Sequence, residues 1–499
     1  MLICVIRGKL NDAEYLFLPY TTSIMKANHY FKLILLFVYT ISCAGKGRSA
    51  NATGGDIDSS VIIKTHPNDH FETGKIISPV VCKADPTQSY ALYIPANTAN
   101  QSLPVIYFFD PHGDGVLPVH QYKALADRYH FILIGSNNSK NGNGWSDAEN
   151  IWGILSNDSQ ERIPMDKSRI YLCGFSGGAK VATYLALHHP EIKGVIANGA
   201  ELSDITQAGN FNFSITAIAG EGDMNMTDLV SINNALDKTQ AVHRIIFFDG
   251  IHEWAPESTM NKAFAGFQFD AMRQKIIPQN DSLINHFTAE NKKEIGDDIT
   301  ADNYIKAEEV CKLSISMLKG LTNDVNWFKE KETELTNNPT YQKQFQKRQD
   351  LLLKEENIKS GYEQQFQNAD MNYWTKTIND VASKAKVKTP EGNMYKRLQA
   401  YLSLAFYSIS NQFISGNQNN DAQHFVTLYK MVDPTNSEAW YLSAVIDARN
   451  NNAASTKNDL LKSISLGFND KKRLEQQPEF QNLFTGGQVN LAEMESHMK

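Results

Sequence analysis

The five residues Gly174-Phe175-Ser176-Gly177-Gly178 directly follow the apolar stretch Arg169-Ile170-Tyr171-Leu172-Cys173, and no other feature constrains the fold as strongly. Glycines on both sides of a serine, placed where a buried-strand pattern ends, imply a sharp strand-to-helix turn with the serine hydroxyl at its apex. Three fixed positions recur by chance in about one chain in six of this length at roughly 7 % usage of Gly and Ser. The segment therefore takes its meaning from what surrounds it.

Around it, residues from about 74 to 275 alternate short apolar runs with helix-like segments, the pattern of an α/β fold with a largely parallel sheet. Val80 to Ala84 and Tyr90 to Ile94 flank Asp85-Pro86 and predict a leading hairpin. Val105 to Phe109, Phe131 to Gly135, Ile170 to Cys173, Gly194 to Asn198, Ile215 to Ala219 and Arg244 to Phe248 read as buried strands, with crossovers such as Tyr122 to Tyr129 and Ala179 to Leu187. From about residue 280 the strand-like runs stop and helical stretches take over, among them Ala301 to Leu318 and Tyr341 to Asn368. The expected division is a leader over 1–43, a flexible tether over 44–73, an α/β domain over 74–278 and a helical domain over 279–499. Near the end, Ala422, Pro434, Trp440 and Ala444 match the register of a tetratricopeptide repeat, whose period is about 34 residues. A plain helical bundle is the other reading. Either way Leu398, Leu402 and Phe406 share a helix face as core, and the charged run Lys329 to Glu334 is a solvated face.

Three further segments supply what a serine nucleophile requires. Gly220-Glu221-Gly222-Asp223 and Gly250-Ile251-His252-Glu253-Trp254 each follow a strand-like run, so Asp223 and His252 fall on loops at strand ends, in the chain order Ser, Asp, His. His252 is the expected base for Ser176, and Asp223 the group that fixes its tautomer. Glu221, Asp228 and Asp249 compete with Asp223 as the acid. His188 and His189 close the helix after the turn and read as partners of its dipole. Asp110-Pro111-His112-Gly113-Asp114-Gly115 ends another strand. Its place suits an oxyanion hole in which Gly177 gives one N–H and Gly113 or Asp114 the second. Cys173 reads as a small buried residue rather than a thiol nucleophile.

Asn137 and Asn138, with Trp145 after them, follow a strand at its carboxyl end and are candidates to line a substrate cleft; a polar surface turn with one packed Trp is the alternative. Glu201 and Trp254 are similar candidates. The segment between the Gly194 and Ile215 strands leaves no room for a large inserted cap, which favours esters carried on bulky or polymeric groups.

With these residues in place, 74 to 275 resemble the α/β-hydrolases of the esterase D, feruloyl esterase and polyhydroxybutyrate depolymerase type. The resemblance includes Ile163-Pro164-Met165-Asp166-Lys167-Ser168-Arg169-Ile170 leading into the turn and the Gly-x-His-Glu-Trp end. It implies an α/β-hydrolase sheet and a catalytic Ser, Asp and His at Ser176, Asp223 and His252. It covers under half of the chain, and Ile251 stands where a second Gly is common.

A net charge of -7 and interspersed Lys and Arg argue against a nucleic-acid partner. Met25-Lys26, a basic patch ending at Lys32, the apolar run Leu33 to Ile41 and Ser42-Cys43-Ala44-Gly45 read as a secretion signal starting internally. The Ser-Cys boundary resembles a bacterial lipoprotein box with Cys43 as the lipidated residue, so the expectation is an exported protein anchored at a membrane by lipid; a cleaved, soluble secreted or periplasmic form is the alternative. Five cysteines set no disulfide framework, no spacing points to a metal, and the expected chemistry calls for no cofactor. The leading expectation is hydrolysis of a carboxylic ester, with acyl groups on carbohydrate as one substrate class. A serine peptidase, or a non-catalytic hydrolase fold whose helical domain recruits a protein partner, are the alternatives.

Overall fold

The structure, a computed structural model, describes residues 70–96, 98, 101–200, 202–204, 206 and 211–498. The leader with Met25 and Cys43, the tether up to residue 69, and Glu201 lie outside the described residues.

Eight strands, β1 (Ile76–Val81), β2 (Ser89–Tyr93), β3 (Leu103–Phe109), β4 (Ile132–Ser136), β5 (Met165–Phe175), β6 (Ile192–Asn198), β7 (Ser214–Gly220) and β8 (His243–Phe248), form one sheet in the order β1-β2-β4-β3-β5-β6-β7-β8. The β1–β2 and β2–β4 pairs are antiparallel and the remaining pairs parallel. β3 and β7 are buried at every position, as expected of near-continuous apolar runs covered on both faces. β8 alternates between buried and half-buried residues, as suits the sheet's edge. The first strand starts and ends earlier than the apolar run from Val80 to Ala84 predicts. Asp85 folds the chain back through Thr87 and Gln88, and the Cys82 N–H already donates to Gln88 O at 2.9 Å.

Helices α1 (Val116–Tyr129) and α5 (Glu257–Arg273) cover one face of the sheet; α2 (Trp145–Arg162), α3 (Gly177–His188) and α4 (Met226–Leu236) cover the other. This is an α/β-hydrolase-type sheet with flanking helices, followed by a large all-helical region. The apolar core does not stop at residue 278. It runs from the sheet through α5 into α6 (Asp281–Thr300), α7 (Tyr304–Leu318) and α8 (Val325–Thr336), taking in Phe287, Ile295, Met317, Phe328 and Leu335. A buried ionic junction reinforces the seam: Asp270 accepts from Arg244 and, at 2.6 Å, from Arg273, whose Nη2 also donates to Met317 O at 2.6 Å.

A second core gathers α9 (Pro339–Gln365), α10 (Met371–Ala385), α11 (Pro390–Ser415), α12 (Asn419–Val432), α13 (Ser437–Arg449), α14 (Ala453–Ser465), α15 (Lys471–Gln476), α16 (Pro478–Thr485) and α17 (Leu491–Ser496) around Trp374, Leu398, Leu402 and Phe406. Several of these helices begin where a short polar side chain can accept a free first-turn N–H: Asn338, Asp370, Thr389 and Asn436 all do so. Ala422 and Ala444 are buried where α12 and α13 pack, and Trp440 Nε1 donates to Pro434 O at 2.9 Å.

Candidate active site

β5 delivers Ser176 to the carboxyl edge of the sheet, and the turn there is possible only because two glycines remove side chains. A Cβ on Gly178 would stand 1.9 Å from Phe109 O, and one on Gly174 would stand 2.1 Å from Gly178 O. Both obstacles are backbone and cannot swing aside. Ser176 itself has φ 53° and ψ -122°, a conformation that non-glycine residues hold only where the surroundings enforce it. Its N–H donates to Asn198 O at 2.9 Å, which ties the elbow to the end of β6.

From that position the hydroxyl meets two loops distant in sequence. His252 Nε2 lies 3.0 Å from Ser176 Oγ, and His252 Nδ1 lies 3.0 and 3.1 Å from the two carboxylate oxygens of Asp223. Of the four acidic residues that sequence reasoning left in competition, Asp223 is the one on the imidazole. The Glu221 carboxylate turns instead to Asn393 and Lys306. Asp223 is fully buried, its Oδ1 also accepts the Asn225 N–H at 2.9 Å, and the His252 side chain is 21 % exposed. Gly199, with φ +66°, makes room for the pair: a Cβ there would stand 3.0 Å from Asp223 Oδ2 and 3.3 Å from His252 Cε1.

Sequence reasoning missed the residues that hold this line. Phe175 packs on the His252 ring with centroids 4.7 Å apart. Asn198 donates to Glu253 O at 3.0 Å and accepts the Ala255 N–H at 2.9 Å, which fixes the His252 loop. The available signal was a polar residue closing the otherwise apolar strand from Val195 to Asn198. Asn141 places its amide oxygen over the Gly177 backbone, where a Cβ would come within 1.9 Å of it, and Asn141 N–H donates to Pro111 O at 2.8 Å.

α3 starts at Gly177 with no side-chain cap; the Ala179 N–H returns to Ser176 O at 3.0 Å, and this end of the helix is the one that favours negative charge. Of the two candidates for a second donor, Gly113 is corrected: its N–H is committed to Asp110 O at 3.1 Å within a tight turn. Asp114 N–H has no acceptor among the described residues. The turn is anchored by Asp110, whose Oδ1 accepts the His112 N–H and whose Oδ2 accepts Trp254 Nε1 at 2.9 Å. Burial works to raise the Asp110 pKa, but these hydrogen bonds prevail and hold it below the usual carboxylate value. The His112 imidazole stands with Nδ1 3.4 Å from Asp110 Oδ1, and that carboxylate raises the His112 pKa.

The four described cleft candidates all have partners within the chain. Trp254 is only 9 % exposed, packed against Phe175 and Tyr122, because its indole N–H is needed by buried Asp110. Asn138 spends its amide on the hairpin, accepting from Ser89 N–H at 2.8 Å and donating to Thr87 O at 3.0 Å; Asn137 Nδ2 donates to Ser89 Oγ at 3.1 Å. Trp145 is 48 % exposed and stacks on Tyr184 with centroids 4.4 Å apart. Cys173 is fully buried, and burial pushes its thiol pKa well up, which disfavours a thiolate. His188 Nδ1 contacts Tyr184 O and His189 Nε2 contacts Glu149, 2.8 Å in each case, at the far end of α3. Among the described residues no group of His, Cys, Asp and Glu is arranged to hold a metal ion, and no helix is long and apolar enough to cross a membrane.

Residues 148–269 match the model of the Dienelactone hydrolase family, a stretch that contains Ser176, Asp223 and His252. No curated protein matches the chain. Among solved structures it is similar to an esterase from the archaeon Pyrobaculum calidifontis (12 % identity, TM-score 0.31, covering 40 % of this chain and 85 % of that one). It is also similar to the S-formylglutathione hydrolase of Staphylococcus aureus (13 %, 0.31, 39 % and 96 %) and to a ferulic acid esterase (14 %, 0.32, 39 % and 95 %).

Proposed function

We propose that the protein is a serine hydrolase that cleaves carboxylic esters through an acyl-serine intermediate. The observation that carries this reading is the unbroken line Ser176 Oγ, His252, Asp223, with 3.0 Å at each step, beside the uncapped N-terminus of α3. A serine hydroxyl needs a base in hydrogen-bond reach. His252 Nε2 takes the Ser176 proton as Oγ attacks the ester carbonyl, and Asp223 steadies the imidazolium. Gly177 N–H, with Asp114 N–H as second donor, receives the oxyanion. His252 then returns the proton to the departing alcohol, and water repeats the sequence in reverse roles to free the acid and restore Ser176. The family match over 148–269 supports hydrolysis in general.

The short connection between β6 and β7 and the exposed Trp145, Val116, Leu117 and Ile251 at the carboxyl edge support an ester whose acyl or alcohol part is large, acyl groups on carbohydrate being one such class. Export with lipid attachment at Cys43, and partner recruitment by a repeat-like helical region, are part of the same proposal and rest on sequence pattern.

A fluorophosphonate probe tests the core of it. Labelling of the wild type at Ser176, mapped by peptide mass, and none of Ser176→Ala is the expected result. Failure to label folded wild-type protein would favour a binding role. Turnover of aryl esters without cleavage of peptide amides separates esterase from peptidase.

A further inference from the structure

The loop that carries Asp223 is held from two sides, and one of them is foreign to the hydrolase sheet. Toward the base loop, Glu221 N–H donates to Phe248 O at 2.9 Å and Gly222 N–H to Gly250 O at 2.8 Å. Toward the helical region, Asn393 in the first turn of α11 donates Nδ2 to Glu221 Oε2 at 2.8 Å, and Lys306 of α7 pairs with Glu221 Oε1 at 3.2 Å. Arg397, one turn further along α11, donates Nη1 to the Glu221 backbone carbonyl. The same guanidinium is gripped by Glu355 of α9, at 2.9 Å through Nε and 2.7 Å through Nη2. Arg397 is 4 % exposed and Glu355 1 %. Gly222 lies pressed between the two sides: a Cβ there would be 3.0 Å from Gly250 O and 3.0 Å from Lys396 Cδ.

We propose that α11 is the positioning element for the acid of the active site, with Arg397 and Asn393 as positioning residues that keep Glu221 and Gly222 seated so that Asp223 stays on His252 Nδ1. The inference rests on the serine-hydrolase reading for its purpose. A buried guanidinium and carboxylate persist only where further hydrogen bonds satisfy them, and here that further bond is to the backbone two residues before Asp223. The planar fork of Arg reaches a carboxylate and a carbonyl together, which a lysine does not. Glu221 thus links two helices of the helical region, α7 and α11, to the loop that orients the base, with α9 behind Arg397, and a displacement of about 1 Å in such a loop is enough to cost on the order of 10²-fold in rate.

The test uses the full-length chain. In Arg397→Met the amides of Glu221 and Gly222 exchange hydrogen faster than in wild type, and turnover of an aryl ester falls about 10- to 100-fold in kcat with KM nearly constant. Arg397→Lys recovers only part of either. Arg449→Met breaks a comparable ion pair, with Glu479, inside the second core; it lowers stability while leaving exchange at 221–222 and kcat as in wild type. Unchanged exchange and unchanged kcat in folded Arg397→Met overturn the proposal, as does an equal change in Arg449→Met. Should Arg397→Met not fold, Asn393→Ala and Glu221→Gln take its place, with the same direction and a smaller effect expected, and wild-type behaviour overturning it. A wild type inert toward probe and ester defeats the hydrolase reading alone, because amide exchange still decides the clamp.

Discussion

Ser176 and Asp223 stand one hydrogen bond to either side of the same imidazole, yet the chain builds their loops by opposite means. The Ser176 elbow is closed by backbone of the adjoining strands: Gly174 and Gly178 clear the turn itself and the backbone of Phe109, and one bond to Asn198 O completes it. The Asp223 loop is short and glycine-bearing too, but its seat is assembled from Phe248 and Gly250 in the next loop and from Lys306, Asn393 and Arg397 in helices far along the chain. A loop closed by local sterics tolerates remote change. One closed by distant side chains inherits the stability of whatever carries them.

The largest effect breaks the line that both loops serve. Ser176→Ala and His252→Ala are each expected to lower kcat by about 10⁵- to 10⁶-fold, and the double variant no further, because the groups act as one unit. Asp223→Asn, which keeps the shape of the loop and changes the hydrogen bond, is expected to cost on the order of 10⁴. Steady-state kinetics on an activated aryl ester measures all four. Losses that multiply in the double variant would show that Ser176 and His252 act independently.

Next comes the elbow's own sterics. Gly178→Ala forces a Cβ against Phe109 O at 1.9 Å, and overpacking against backbone is expected to destabilise by about 3 kcal/mol or more, seen as a lower denaturation midpoint. Gly177→Ala meets only the side-chain end of Asn141 at 1.9 Å, which can turn aside where backbone cannot, so its change is expected within about 1 kcal/mol. Equal losses in the two would mean that the elbow is not held by the contact with β3.

This contrast also explains what the sequence disclosed. The elbow, the strand runs and the order Ser176, Asp223, His252 were legible because each depends on neighbours in the chain: glycines beside a serine, apolar runs before a polar loop. Asp223 could be named but not separated from Glu221, Asp228 and Asp249, because the choice is made by which carboxylate the fold turns toward His252 and which toward Lys306 and Asn393. Trp254 and Asn138 read as cleft residues because a polar-tipped side chain after a strand looks the same whether it meets substrate or a buried partner. Asp110 and the backbone of Thr87 decided otherwise. The seam between the two halves was illegible for a related reason. A change from strand-like to helical periodicity marks residue 280, yet α6 to α8 share their apolar faces with α5 in the first core.

That seam provides a pH test of how the halves hold together. Burial would raise the pKa of Asp270, but Arg244 and Arg273 outweigh it and hold the carboxyl below its ordinary value of 3.8. With the folded value depressed, the unfolded chain binds the proton first. The junction's contribution is full above about pH 3.8 and is lost as pH falls through the folded value. Denaturant titrations of wild type and Asp270→Asn across that range are expected to show stabilities that draw together on acidification. A gap that stays constant down to low pH would exclude the ionic account.

The smallest effect concerns the third loop, which lies between the two construction styles: Asp110 anchors it through Trp254 from afar, whereas Asp114 acts locally. Asp114 Oδ1 accepts the Val116 and Leu117 N–H groups at 3.1 Å each, and removing such an acceptor from a first helical turn costs about 1 kcal/mol. The proposed contribution of Asp114 to the oxyanion is through its backbone N–H, which the substitution keeps. Asp114→Ala is therefore expected to lower the unfolding free energy by about that amount while kcat stays within about twofold of wild type, since losing an oxyanion donor would cost roughly 10²-fold or more. A kcat loss of that larger size, without greater loss of stability, would transfer the role from the backbone to the side chain and make this loop, like the acid loop, dependent on which carboxylate occupies it.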